Sequence, residues 1–158
     1  MKTTISSTSK MESAVILPYV KEKVLMQLRD FKSDIFYPGH WGFFGGSVDD
    51  GENPDETAKR ELFEEIGYRP KVMHKLSTSR VPEWKGFIVH SYCCPLTKPV
   101  ENIELKEGAD IGLFSLEDVV TGNLYSPKMK KKFPIIEVPH IIETIKTFLE
   151  YIKSANNI

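Results

Sequence analysis

The segment from Pro54 to Ile66 constrains this chain more than any other, because independent start and stop signals bracket it as one helix. Asn53 suits the N-cap, Pro54 the first helical position, Glu56 the place where a capping box wants an acid, and Gly67 the C-terminal close. A rotation of about 100° per residue gathers Glu61, Glu64 and Glu65 on one edge, with Ala58, Leu62 and Ile66 forming a neighbouring apolar stripe. Like charges at these spacings cost about 0.2–0.5 kcal/mol per pair in an isolated helix. Arg60, four residues before Glu64, offsets part of that, and a divalent cation would offset far more. Taken alone, such an edge reads first as a solvated helix face.

The flanking pattern is that of one mixed α/β domain. Residues 1–12, rich in Ser and Thr and without apolar periodicity, are expected to be a flexible tail preceding a single domain over 13–158. Ala14 to Pro18 and Val24 to Leu28 read as two strands around a polar turn, Phe31 to His40 as a loop, and Trp41 to Val48 as one short strand. Strands are expected again at Val72 to Leu76 and Phe87 to Cys94, and an extended or looped stretch at Ile103 to Phe114. Ser115 with Asp118 marks a short helix start. Ile141, Ile142, Ile145, Phe148, Leu149 and Ile152 give Pro139 to Lys153 the spacing of a helix packed on a sheet.

Composition removes several function classes. With 22 acidic and 21 basic residues the net charge is −1, which argues against a general nucleic-acid or membrane-surface binder. The run Lys128 to Lys132 reads as a solvated face. No stretch approaches the ~18 apolar residues of a membrane span, and the N-terminus lacks the apolar core of a secretory signal. Cys93 and Cys94 are adjacent in an expected buried strand and point to opposite faces, which excludes a disulfide framework and favours a reducing, cytoplasmic setting.

The spacing around the helix is more specific than the helix itself. From Gly46 the chain runs five residues to Glu52, seven more, and then Arg60-Glu61-Leu62-Phe63-Glu64-Glu65-Ile66-Gly67-Tyr68. This resembles the box of the Nudix (MutT-like) hydrolases: G, five of any kind, E, seven of any kind, then R-E-U-x-E-E-x-G-U, with U bulky and apolar. Gly46, Glu52, Arg60, Glu61, Glu64, Glu65 and Gly67 meet every fixed position. Tyr68 stands where the family more often has an aliphatic residue. Trp41-Gly-Phe-Phe44-Gly-Gly resembles the family's W-x-F-P-G-G approach, with Phe44 in place of proline.

The resemblance implies an α/β/α sandwich with a mixed β-sheet and a Mg²⁺-dependent hydrolase, Mn²⁺ being an alternative ion. Position by position, Glu61, Glu64 and Glu65 would hold metal with the Gly45 carbonyl, Arg60 would orient the glutamates, and Glu52 would anchor the loop. For the base that takes a proton from water, Glu61 is the first candidate and Glu107 the second, with Glu104 and Asp110 behind them. Trp41 and Phe43 are candidates to stack on a base, although aromatics in a strand are more often core. Arg29 and Arg80 are candidates for substrate phosphates, and the four histidines show no metal-ligand spacing.

The expected substrate is a small nucleotide: a nucleoside di- or triphosphate, oxidised ones included, cleaved to a monophosphate. A nucleotide-sugar pyrophosphatase acting on ADP-ribose or a GDP-sugar is the nearest rival, and Pro82 lies near where ADP-ribose hydrolases often carry a proline. A non-catalytic nucleotide sensor and an RNA 5′-end processing enzyme are further alternatives. No stable nucleic-acid or membrane partner is expected, and a homodimer is compatible with the sequence.

Overall fold

A computed structural model of the chain describes residues 11–156. The expected tail lies outside the described residues except at its end, where Glu12 is already the first residue of a strand and pairs with Ile88. Strand β1 (Glu12–Val20) turns through Lys21 and Glu22 into β2 (Lys23–Leu28), with Lys21 in the left-handed region at φ 55°. After the loop come β3 (Trp41–Gly42) and β4 (Phe44–Ser47), the helix α1 (Pro54–Ile66), β5 (His74–Val81) and β6 (Phe87–Pro95). The chain ends with β7 (Asp110–Phe114), a short helix α2 (Leu116–Val119), the hairpin β8 (Asn123–Ser126) and β9 (Lys131–Pro134), and the helix α3 (Pro139–Asn156).

The main sheet runs β3-β2-β1-β6-β5, with β4 also on β1 and β7 on β2. Among the described strands of this sheet, β1 and β6 pair in parallel and the other pairs are antiparallel, so the sheet is mixed. Its two faces carry separate cores. Ile16, Leu25, Tyr92 and Cys94 pack with Ala58, Leu62 and Ile66 of α1. Leu17, Met26, Leu28 and Cys93 pack with Ile141, Ile145, Phe148 and Ile152 of α3. The alternation of side chains along a strand creates this division: the neighbours Cys93 and Cys94 are both buried, in different cores, and neither is in a disulfide. The α/β/α sandwich is thus the observed architecture.

Two expectations need correction. Trp41 to Val48 is two strands rather than one, because Trp41 and Gly42 pair with β2 whereas Phe44 to Ser47 pair with β1. The strand expected at Val72 to Leu76 starts at His74 and continues to Val81, since pairing with β6 outweighs the polar sequence Ser77-Thr78-Ser79. The stretch Ile103 to Phe114 is looped and extended as expected, its last five residues forming β7. The hairpin β8–β9 was not expected, and Lys128 to Lys132 form its turn and the start of its second strand. Among the described residues, no helix is long and apolar enough to cross a membrane.

Helix α1 has the expected bounds, for the expected reasons. The Asn53 side chain accepts a hydrogen bond from the Glu56 N–H, and Gly67 closes the helix at φ 66° while donating to the Phe63 carbonyl. Tyr68 buries its ring in the α1 core and donates its hydroxyl to the Pro95 carbonyl, so an aromatic residue is accommodated here without an unsatisfied polar group. A Cβ at Gly67 would meet only the flexible end of Lys106, and the cost of substitution is therefore conformational. Gly67→Ala is expected to lower stability by about 1–2 kcal/mol, read as a shift in denaturant midpoint; an unchanged midpoint would contradict the cap.

Candidate functional site

Strand β4 and helix α1 build the site by close approach. A Cβ on Gly45 would sit 2.2 Å from the Ala14 carbonyl oxygen, and one on Gly46 would sit 2.3 Å from Glu61 Oε1. Only residues without side chains fit here. The Glu61 carboxylate occupies the space that any other residue at position 46 would fill.

Glu61 and Glu65 are buried, with 1% and 0% of their surface exposed, whereas Glu64 is partly exposed. The Gly45 N–H donates to Glu65 Oε2 at 3.2 Å. Glu61 Oε1 accepts from Arg60, while its Oε2 is buried and accepts no hydrogen bond among the described residues. Desolvation pushes the Glu61 carboxyl up to about 7, the nearby Arg60 charge only partly opposing it. Desolvation also raises Glu65, with the charges of Glu61 and Glu107 adding to the effect.

Arg60 contacts Glu61 and Glu64, but its main partner is Glu52. Its guanidinium holds Glu52 in a two-pronged contact, Nε to Oε2 at 2.8 Å and Nη2 to Oε1 at 3.0 Å. It also reaches Glu61 Oε1 at 3.0 Å, Glu64 Oε1 at 3.3 Å, the Ser47 carbonyl at 3.3 Å and Asp49 Oδ2 at 3.3 Å. Glu52 also accepts from the Thr57 hydroxyl at 2.6 Å. Arg60, with Thr57 assisting, holds the Glu52 carboxyl down to about 2. Glu52 is therefore the anchor that fixes Arg60, and Arg60 fixes the glutamates.

Among the described residues, no three acidic or histidine side chains converge as a ready-made metal cage. The contacts explain why: Arg60 draws Glu61 and Glu64 to one side, while the Gly45 N–H draws Glu65 to another. The donor set still fits Mg²⁺, which is usually held by one or two carboxylates together with water and substrate phosphate. The buried Glu61 Oε2 is the most direct sign that this set suits a cation.

Glu107 arrives from the other end of α1. Its N–H faces the Glu65 carbonyl at 3.3 Å, and its own carbonyl accepts from the Gln27 side chain at 2.8 Å. It lines a cavity of about 170 Å³ with Arg29 and Lys32. Asp110 is occupied structurally, accepting from the Ser126 hydroxyl and the Lys128 N–H, and Glu104 is exposed. Arg29 is buried at the end of β2, with Nε donating to the Phe36 carbonyl at 2.6 Å. Arg80 instead binds the nearby Gly86 carbonyl.

A second cavity, of about 420 Å³, shares Arg29, Gly46 and Ser47 with this region. Phe36, Tyr37, Phe43 and Trp84 give it aromatic walls, and His140 lies at the start of α3. Of the two aromatics singled out in the sequence, Phe43 lines this cavity; Trp41 is fully buried and donates its indole N–H to the Leu124 carbonyl. Sequence reasoning missed Phe36, Tyr37, Trp84 and His140. The signal available was the aromatic content of the Phe31 to His40 loop. Pro82 begins a 3₁₀ turn, Pro82–Trp84, that carries Trp84.

The NUDIX domain family model matches residues 10–136 of the 158. The chain belongs to the NUDIX family. RNA pyrophosphohydrolases of Shewanella sp. (strain W3-18-1) and of Aeromonas hydrophila are each 50% identical to it over 40 residues, 25% of this chain. Those matches span only 23% of each relative's length. Among solved structures, the C. elegans Ap4A hydrolase binary complex aligns with TM-score 0.63 at 19% identity, covering 90% of this chain and 98% of that one. The NUDIX domain of Shewanella oneidensis NrtR, complexed with ADP ribose, aligns with TM-score 0.62 at 21% identity, covering 92% of this chain and 90% of that one. At these identities the structural likeness establishes the fold of this NUDIX protein.

A carboxyl raised in the folded state stabilises the fold while protonated and loses that contribution as pH rises through its folded value. The metal-free protein is therefore expected to lose thermal stability from about pH 4.5 to above pH 7 on account of Glu61. Glu65→Gln, which removes a buried charge, should blunt the loss, and Mg²⁺ should reverse it. A melting temperature that is flat across this window, in wild type and variant alike, would contradict the electrostatic account.

Proposed function

We propose that the protein is a Mg²⁺-dependent hydrolase that cleaves the pyrophosphate linkage of a nucleoside diphosphate joined to a further group, a nucleoside di- or triphosphate being the preferred substrate. The observation that carries this reading is the burial of two carboxylates, Glu61 and Glu65, against the paired glycines Gly45 and Gly46. Burying two like charges side by side is costly unless something opposes them. Arg60 faces only one edge of the pair. A cation held by Glu61, Glu64, Glu65 and the Gly45 carbonyl would oppose the rest.

Bound there, Mg²⁺ would supply charge neutralisation on the phosphate oxygens and a more acidic water. The chain's own groups do the remaining work. Arg60, fixed by Glu52, holds Glu61 and Glu64 in place. Glu61 is the first candidate to take the proton of the attacking water, because its raised affinity for protons brings it near neutral pH, where a general base is most effective. Glu107, whose N–H meets the Glu65 carbonyl and whose charge raises the Glu65 carboxyl, is the second. The chemistry needs positioning and charge stabilisation more than covalent participation.

The test is release of phosphate or pyrophosphate with Mg²⁺ across canonical and oxidised nucleoside triphosphates, ADP-ribose, a GDP-sugar, a dinucleoside polyphosphate and a 5′-triphosphorylated RNA oligonucleotide. Turnover on at least one, lost on chelation and regained with Mg²⁺ or Mn²⁺, is the expected outcome. Glu61→Gln, Glu64→Gln and Glu65→Gln should each lower kcat by about 10²–10⁴. If the Glu64 and Glu65 variants turn over like wild type, the mechanism is wrong. Inactivity of the wild type on the whole panel would favour a sensing role. Gly46→Ala should also be inactive, since its methyl displaces the Glu61 carboxylate.

A further inference from the structure

Resting on that hydrolase reading, we propose that Phe63 is a positioning residue for the reaction: its ring holds the Lys106 ammonium and so clamps the loop that carries Glu107 onto the end of α1. Phe63 stands at the unconstrained position of the box, between Leu62 and Glu64, and belongs to neither core. It is only partly buried, on a helix whose residues Ala58, Leu62 and Ile66 make the apolar contact with the sheet. What its ring meets instead is charge. The Arg69 guanidinium carbon lies 3.8 Å from the ring centroid and the Lys106 Nζ 5.2 Å from it. Both are within the ~6 Å over which an aromatic face attracts a cation.

The end of α1 lacks positive charge of its own. Glu61, Glu64 and Glu65 all lie in its second half, where the helix dipole is negative, and its last turn contains no basic residue. Arg69 comes from just beyond the Gly67 cap, and Lys106 from a loop far along the chain. The Lys106 ammonium also stands close to the cap, 3.6 Å from where a Cβ of Gly67 would be. Phe63 thus gathers cations at the end of the helix that needs them.

The loop is attached to α1 at two points. The Lys106 and Glu107 N–H groups meet the Glu65 carbonyl at 2.8 and 3.3 Å, and this carbonyl is among those that a helix end leaves without an intrahelical donor. Attachment there alone would let the loop swing about one oxygen. The Lys106 side chain, reaching back to Phe63, adds a second point two residues earlier on the helix. On its other side the loop is held at β2: Gln27 donates to the Glu107 carbonyl at 2.8 Å, and Asp30 accepts from the Gly108 N–H at 3.3 Å. Glu107 is therefore fixed between the sheet and the helix whose Glu65 carboxyl its charge raises. Loosening the helix side changes where the Glu107 carboxylate stands, and a displacement of about 1 Å at a reacting centre can cost ~10²-fold in rate.

Phe63→Leu removes the ring and keeps an apolar side chain, whereas Lys106→Met keeps the stem and removes the charge. Phe63→Tyr and Lys106→Arg retain the pairing. The clamp is read first without turnover, from exchange of the Lys106 and Glu107 amide hydrogens in the full chain in EDTA. Exchange should quicken about two- to fivefold in Phe63→Leu and in Lys106→Met, and keep its wild-type rate in Phe63→Tyr and Lys106→Arg. In steady state with Mg²⁺ on the nucleotide panel above, Phe63→Leu and Lys106→Met should each lower kcat by about fivefold or more, with KM within about twofold of wild type. Phe63→Tyr and Lys106→Arg should restore kcat, and the double change Phe63→Leu with Lys106→Met should cost no more than the worse single one. A kcat unmoved by Phe63→Leu, losses that multiply in the double variant, or a loss that Phe63→Tyr fails to restore overturns the positioning role. Quickened exchange in a protein that hydrolyses nothing would sink the hydrolase reading and leave the clamp standing. Hydrolysis with exchange and kcat both unmoved by Phe63→Leu and Lys106→Met would do the reverse.

Discussion

The site depends on a carboxylate occupying the space of a missing side chain. Glu61 lies where the Cβ of position 46 would be, and everything around it serves to keep it there. Helix α1 must end its first turns against β4, Asn53 must start it in register, and Arg60 must hold the carboxylate from outside. The arrangement is costly to folding, because desolvated acids resist ionisation. Under the proposed function, its use would be to confront a bound ion or phosphate with charge that water cannot screen.

Much of this was legible in the sequence because it is local. The bounds of α1 follow from residues within a few positions of its ends, and the alternation in β1 and β6 announces two cores. The order Gly46, Glu52, Arg60, Glu61 encodes one connected set of contacts: carboxylate to backbone, carboxylate to guanidinium, guanidinium to carboxylate. The dominant partner of Arg60 was not apparent. Helical spacing points to Glu64, whereas the structure gives the shorter, two-pronged contact to Glu52, which precedes the helix and folds back on it.

What escaped the sequence is non-local. The cavity draws on the loop before β3, the 3₁₀ turn before β6 and the start of α3, segments far apart in the chain that share no periodicity. The split of the Trp41 to Ser47 segment was likewise invisible, because the choice between pairing with β2 and with β1 is made by neighbours in space. The hairpin of β8 and β9 was hidden by its lysines, although Phe133 buries itself between them and the core.

That split has a consequence for scale. At the jog between β3 and β4, Phe43 turns toward the cavity and Phe44 into the opposite core, with Gly45 and Gly46 following at once. One covalent stretch therefore runs from the aromatic chamber to the glycines packed against the acidic helix. The protein carries a built-in gauge, and any molecule bridging both compartments would have to match it.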